Sequence, residues 1–305
     1  SENARRGKNK IADKPMRLFT CIFTIFILSG QILFAQAQDS EIYLFSIDKK
    51  GGRYVFSNGE NITNSKGYDN QPSFSLNSKS ILFTSSRGGK DTNIFEYGLA
   101  DKKTIQITTS TDGEYTPKEF DKNTITFVRE EKGQGMTVWK YDRRTKKESV
   151  ALKNKEPVAY YAWNRKGDAL VWIRYAFMIN WVNPEKSINK YVASYAQPSV
   201  PHLIPNTDKF SFMQRLPNDE LWIKEFDPKT QAVRPIVQSK DGKKDYCWMA
   251  DGSLLIGSGS KLYRFDEKMD KNWILLADLK PFGIKDITRM AASSDGKKLA
   301  IVNNQ

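Results

Sequence analysis

Residues 289–305 read RMAASSDGKKLAIVNNQ. Two short apolar stretches flank a Ser-Asp-Gly-Lys turn, which predicts two antiparallel strands joined tightly. A strand pair with nothing beyond it leaves an edge open to other chains. The missing partners stand at the other end of the sequence. SEIYLFSIDKKGGRYVFSNGENIT, residues 40–63, reads as an aromatic strand, a Lys-Lys-Gly-Gly turn and a second strand. The expectation is one sheet assembled from both ends of the chain.

Between these ends the same unit recurs. Residues 72–108 (PSFSLNSKSILFTSSRGGKDTNIFEYGLADKKTIQIT) and 116–152 (TPKEFDKNTITFVREEKGQGMTVWKYDRRTKKESVAL) show it most clearly. Each has short strands with period-2 alternation, separated by turns rich in Asn, Asp, Gly and Lys. The first apolar residues of the successive second strands are Ile81, Ile125, Leu170, Phe210, Leu254 and Leu299, spaced by 44, 45, 40, 44 and 45 residues. Four strands per period of that length is the arithmetic of a propeller blade. The predicted fold is all-β: a six-bladed β-propeller of four-stranded blades, with the N-terminal strands completing the C-terminal blade. Blade three, around YAFMINWVNPEKSINKYVAS (175–194), departs most from the pattern.

Residues 1–37 stand apart. Lys14 and Arg17 precede an apolar stretch over 18–34, then Ala35-Gln36-Ala37. This is the pattern of an N-terminal extension and cleavable signal peptide, with cleavage after Ala37. The propeller is then assigned to 38–305, with a periplasmic or secreted location and no transmembrane span after cleavage. The formal charge of +13 includes six basic and two acidic residues in that leader, which leaves +9 for the remainder. The lysines are scattered through turns rather than run together, so no nucleic-acid partner is expected. An envelope protein or an anionic envelope ligand suits the charge better. Cys247 is the one cysteine after residue 37, which excludes a disulfide within that region, and its aromatic neighbours mark it as a small buried hydrophobe.

The stretch DNQPSFSLNSKSILFTSSRGGKDTNIFEYGL, 69–99, resembles the PD40 (WD40-like) repeat of TolB-type propellers. Pro72, Phe74, Ser75, Lys79, Ile81, Phe83, Ser85, Arg87, Ile94 and Phe95 match that repeat. Leu76-Asn77-Ser78 replaces its Pro-Asp-Gly turn, whereas the last unit keeps Ser294-Asp295-Gly296-Lys297. With GEYTP (113–117) and PVAYYAW (157–163), the pattern is similar to a TolB-like group of secreted propellers of Bacteroidota type. The resemblance implies the propeller fold over nearly all of 38–305. It leaves function open, because this fold hosts enzymes, scaffolds and ligand sensors alike.

Catalytic motifs are sparse. There is no Gly-x-Ser-x-Gly elbow, no calcium loop and no phosphate-binding glycine loop. His202 is the only histidine and lies among prolines at the predicted start of a strand. No cofactor and no metal site is expected. Asp69, Glu114, Glu119 and Asp245 lie near the starts of inner strands and keep open a carbohydrate-active or lactonase-like enzyme using channel carboxylates. A structural subunit of an outer-membrane assembly is a further alternative.

The favoured expectation is a non-enzymatic propeller that binds through one loop face. In a propeller the loop before each inner strand and the loop after each second strand emerge on the same side. The first set presents Tyr68, Asp69, Tyr115, Tyr160, His202, Tyr246 and Arg289; the second presents Arg87, Arg129, Arg174 and Arg215. Tyrosines with arginine forks suit an acidic peptide or anionic glycan. The structural alternative has each Arg paired with a nearby acid and each Tyr wedged between blades.

Overall fold

The structure is a computed structural model that describes residues 39–304 apart from 52, 88, 134, 154 and 155. The segment expected to be a signal peptide, 1–37, therefore lies outside the described residues. Among the described residues no helix is long and apolar enough to cross a membrane.

The described residues form twenty-four strands in six four-stranded antiparallel sheets. The chain begins with β1 (Ser40–Lys50) and β2 (Arg53–Asn61). Blade one is β3 (Asp69–Phe74), β4 (Ser80–Ser85), β5 (Asn93–Gly98) and β6 (Thr104–Gln106). Blade two is β7 (Gly113–Asp121), β8 (Thr124–Glu131), β9 (Gly135–Asp142) and β10 (Glu148–Val150). Blade three is β11 (Val158–Trp163), β12 (Ala169–Ile173), β13 (Met178–Asn183) and β14 (Ile188–Ala193). Blade four is β15 (His202–Leu203), β16 (Phe210–Arg215), β17 (Leu221–Asp227) and β18 (Ala232–Gln238). Blade five is β19 (Tyr246–Trp248), β20 (Leu254–Ser258), β21 (Lys261–Phe265) and β22 (Ile274–Asp278). Blade six opens with β23 (Ile287–Ala292) and β24 (Lys298–Asn304), and its order β23-β24-β1-β2 closes the ring as expected. The closing seam pairs Ser40 with Asn304 through to Ser46 with Lys298.

The second strand of each blade is covered on both faces by its neighbours, so its central side chains are buried and mostly apolar, with hydroxyls such as Thr126 and Ser211 admitted where they hydrogen-bond. β12 (ALVWI) is buried at every position. The residues that set the repeat period, Ile81, Ile125, Leu170, Phe210, Leu254 and Leu299, are all buried second-strand residues. The inner turns explain how the repeat tolerates variation. In blade six, Ser293 Oγ donates to Asp295 Oδ1 at 2.6 Å, that oxygen accepts from the Lys297 amide at 3.0 Å, and Gly296 takes φ 71°. In blade one, Ser75 Oγ donates to Asn77 Oδ1 at 2.9 Å, the Lys79 amide donates to the same oxygen at 2.9 Å, and Ser78 takes φ 55°. Asn replaces Asp as the acceptor and a serine occupies the left-handed position, so the turn keeps its form without the Asp-Gly signature. Blade three keeps four regular strands; its departure lies in the turn at 174–177 rather than in its sheet.

Candidate functional site

Backbone hydrogen bonds tie the ends of the second strands to the loops that lead into the inner strands. The Ser86 amide donates to Tyr68 O at 2.9 Å, Arg174 to Pro157 O at 2.9 Å, and Arg215 to Tyr195 O at 2.9 Å. Both sets of loops therefore share one face. The eleven residues expected there fall into three groups.

The first group is committed to the fold. Arg87 pairs with buried Asp69 at 3.1 Å, and Ser65 Oγ donates to the other Asp69 oxygen at 2.6 Å. Arg129 is buried and contacts Glu114 and Glu148, each at 2.5 Å, with its guanidinium 4.4 Å from the Trp139 ring centroid. Glu114 also accepts a short hydrogen bond from Thr108, and burial pushes its carboxyl above the usual range against the pull of Thr108 and Arg129. Tyr246 is fully buried and donates to Ser211 Oγ of the preceding blade at 2.8 Å. Glu119 is likewise engaged, by the Leu76 amide at 2.6 Å and by Arg143 at 3.4 Å. Of the four carboxylates considered for channel chemistry, only Asp245 faces the axis without a close ion pair.

The second group meets on the axis, though it comes from all six blades. Arg289 Nη2 donates to Tyr160 Oη at 3.0 Å across the channel, and its Nη1 lies 3.9 Å from Asp245 Oδ1. Tyr68 lies near enough to sense Arg289, Tyr160 and Tyr115, and its burial pushes its phenol up to about 12. His202 lies against Tyr246 with ring centroids 4.7 Å apart and the planes tilted by 56°, and burial, with Lys118 and Arg289 adding to it, brings its imidazole down to about 3. Burial raises Asp245 to about 6 despite Arg289 and the Met290 amide, which donates to it at 3.0 Å. Asp245 and Arg289 line two cavities, one of about 560 Å³ and one of about 480 Å³, and so mark the waist between the two mouths of the channel. Lys118 belongs to this waist and escaped the sequence reading. The signal for it is a lysine inside the inner strand β7, where a channel-facing position is the alternative to the core.

The third group is outward. Arg174 pairs with Glu130 at 3.1 Å and Arg215 with Asp219 at 3.0 Å, all four at least one-third exposed. Between them lie three aromatics that sequence reasoning also missed: Tyr175 is 74% exposed, Tyr195 72% and Phe177 50%. All three have left-handed backbones, with φ of 68°, 53° and 49°. That conformation is costly for a bulky side chain. The turn at 174–177 is pinned by the Ala196 amide, which donates to Phe177 O at 2.9 Å, and by the edge contact of Phe177 with Trp172 at 5.8 Å.

Among the described residues no group of three or more His, Cys, Asp or Glu is placed to hold a metal ion. The sequence matches no protein-family model. It matches no curated protein either. Its fold is similar to that of TolB from Acinetobacter baumannii, with a TM-score of 0.58 and 12% identity over 87% of this chain and 64% of that one. A putative TolB from Agrobacterium tumefaciens gives a TM-score of 0.66 and 14% identity over 88% of this chain and 99% of that one. An oligogalacturonate lyase in complex with manganese gives 0.53 and 12% identity, covering 83% of each. This chain thus spans just under two thirds of the Acinetobacter protein. At these identities the likeness is one of fold: a six-bladed propeller of the TolB kind.

Proposed function

We propose that the chain is a non-enzymatic β-propeller of the periplasm or the secreted fraction that binds an envelope protein. The contact is made through the outward Tyr/Arg sector of the loop face. The observation that carries it is the aromatic group Tyr175, Phe177 and Tyr195, exposed beside Arg174 and Arg215. Tyr175 and Tyr195 leave most of their surface in water on a strained backbone, so they bury little for the fold, and tyrosine is among the residue types that dominate protein contacts. The ion pairs of the flanking arginines are with exposed carboxylates and are worth about 0–1 kcal/mol each, so an acidic partner segment can take them over. The similarity in fold to TolB propellers supports a binding rather than a catalytic role. So does the engagement of Asp69 and Glu114 by arginines, whose donors occupy carboxylate oxygens that channel chemistry would need free.

The test is envelope crosslinking of the tagged chain in its own host, with wild type beside a Tyr175→Ser/Tyr195→Ser double variant. The expected result is one stoichiometric envelope protein with wild type and its loss with the variant, while thermal melting of the two chains stays alike. Equal recovery by both would overturn the assignment of this sector.

A further inference from the structure

We propose that the waist of the channel binds a small hydroxycarboxylate, a ligand class independent of the protein contact on the outer sector. Buried cations elsewhere in this protein are closely paired: Arg87 with Asp69, Arg129 with Glu114 and Glu148, Arg143 with Glu96 at 2.7 Å. The waist breaks that pattern. It brings together two cations, Lys118 and Arg289, and one carboxylate, Asp245, whose nearest approach to Arg289 is 3.9 Å. Among the described residues the Lys118 ammonium makes neither an ion pair nor a hydrogen bond, although it senses both Asp245 and Arg289. Arg289 spends one of its five donors on Tyr160 and leaves most of its fork unused.

The excess positive charge sits inside the channel, between protein walls, so an entering carboxylate gains more from it than it would at the open surface. Lys118 and Arg289 supply charge-assisted donors of the kind that hold such a group.

His202 adds a second requirement. Its Nε2 is buried without a partner, while a main-chain hydrogen bond at Tyr246 favours a proton on the ring. The imidazole is neutral at ordinary pH, so its free nitrogen is an acceptor and fits a hydroxyl better than a second anionic oxygen. A carboxylate carrying a nearby hydroxyl satisfies both demands. The cavity of about 560 Å³ below the waist, walled by Trp163, Trp248 and Phe74, is large enough for a compound of five or six carbons with an apolar face. Phosphate offers the charge without the hydroxyl pattern, and neutral sugars offer hydroxyls without the charge.

The experiment is calorimetric titration of the purified chain with lactate, gluconate and glucuronate, beside glucose and inorganic phosphate, each to ~10 mM. At least one hydroxycarboxylate is expected to bind saturably, with glucose silent and phosphate weaker. Lys118→Met is the decisive variant. It removes a half-buried charge with no paired carboxylate, so its melting temperature is expected to hold while affinity falls about tenfold or more. His202→Phe is expected to erase the preference for gluconate over its deoxy analogue, the hydroxyl-free hexanoate. Silence from all three hydroxycarboxylates, or unchanged affinity in Lys118→Met, would overturn the proposal. Phosphate binding as tightly as gluconate would overturn the hydroxyl part of it.

Discussion

At Asp245 the chain keeps an acid where burial disfavours its charge. The carboxyl is raised from 3.8 to about 6, with desolvation the leading cause and Arg289 opposing it. Below pH ~4 the group is protonated in native and unfolded chains alike and contributes nothing to the pH dependence. Between 3.8 and about 6 the unfolded chain loses its proton first, so native stability falls as pH rises. Above that window the full difference persists, ~3 kcal/mol at most. Asp245→Asn keeps the acceptor for the Met290 amide and removes the titration. Chemical denaturation at pH 4 and pH 7 is expected to show the variant gaining on wild type at the higher pH; parallel changes in the two chains would refute it. Such a residue is only half legible in sequence. Asp245 and Arg289 could be placed at the starts of inner strands, but their meeting with Tyr160, 129 residues away from Arg289, is a product of ring closure and has no local signal.

Elements were more readable than residues because their determinants are local. Period-2 alternation and turn chemistry act within ten residues, and the spacing of Ile81, Ile125, Leu170, Phe210, Leu254 and Leu299 carried the blade count directly. A further repeated device lies in the inner strands. Tyr161 donates to Thr126 Oγ1 and Thr116 O, both at 3.0 Å, and Trp163 Nε1 donates to the same Thr126 at 3.2 Å. Tyr246 and Trp248 repeat this against Ser211, each at 2.8 Å. Thr126 and Ser211 hold equivalent places in β8 and β16, so a Tyr-x-Trp inner strand bolts itself to the hydroxyl of the blade before it. This is why Tyr246, expected on the binding face, is found between blades. Tyr161→Phe removes the donor and leaves the Thr116 carbonyl unsatisfied inside the protein. A loss of ~1–3 kcal/mol is expected by urea denaturation; a change within ±0.5 kcal/mol would show that the bolt contributes nothing.

For the whole molecule the question is whether six blades behave as one body. Apart from contacts across the channel such as Arg289 with Tyr160, each blade packs against its neighbours, as in a repeat protein that could lose cooperativity. Closure works against that, because a ring has no terminal blade from which to fray. The seam is well built: Ile42 and Phe45 of β1 are fully buried, Phe45 meets Phe282 edge-on at 5.3 Å, and Ser294 Oγ of blade six reaches Leu76 O of blade one at 3.2 Å. The distribution of tryptophan allows a direct test. All seven tryptophans, at 139, 163, 172, 181, 222, 248 and 273, fall in blades two to five, and the closing blade has none. Phe45→Ala opens a cavity in that silent blade and is expected to cost about 3–5 kcal/mol. If the ring is one cooperative unit, the tryptophan fluorescence midpoint moves down by as much as the far-ultraviolet circular dichroism midpoint, although the closing blade holds no tryptophan. If the closing blade instead opens alone, dichroism shows an early partial loss while fluorescence keeps its wild-type midpoint. The chain would then be a row of blades whose ends merely touch, and the waist formed by Tyr68, Tyr160, His202, Asp245 and Arg289 would depend on a joint that opens on its own.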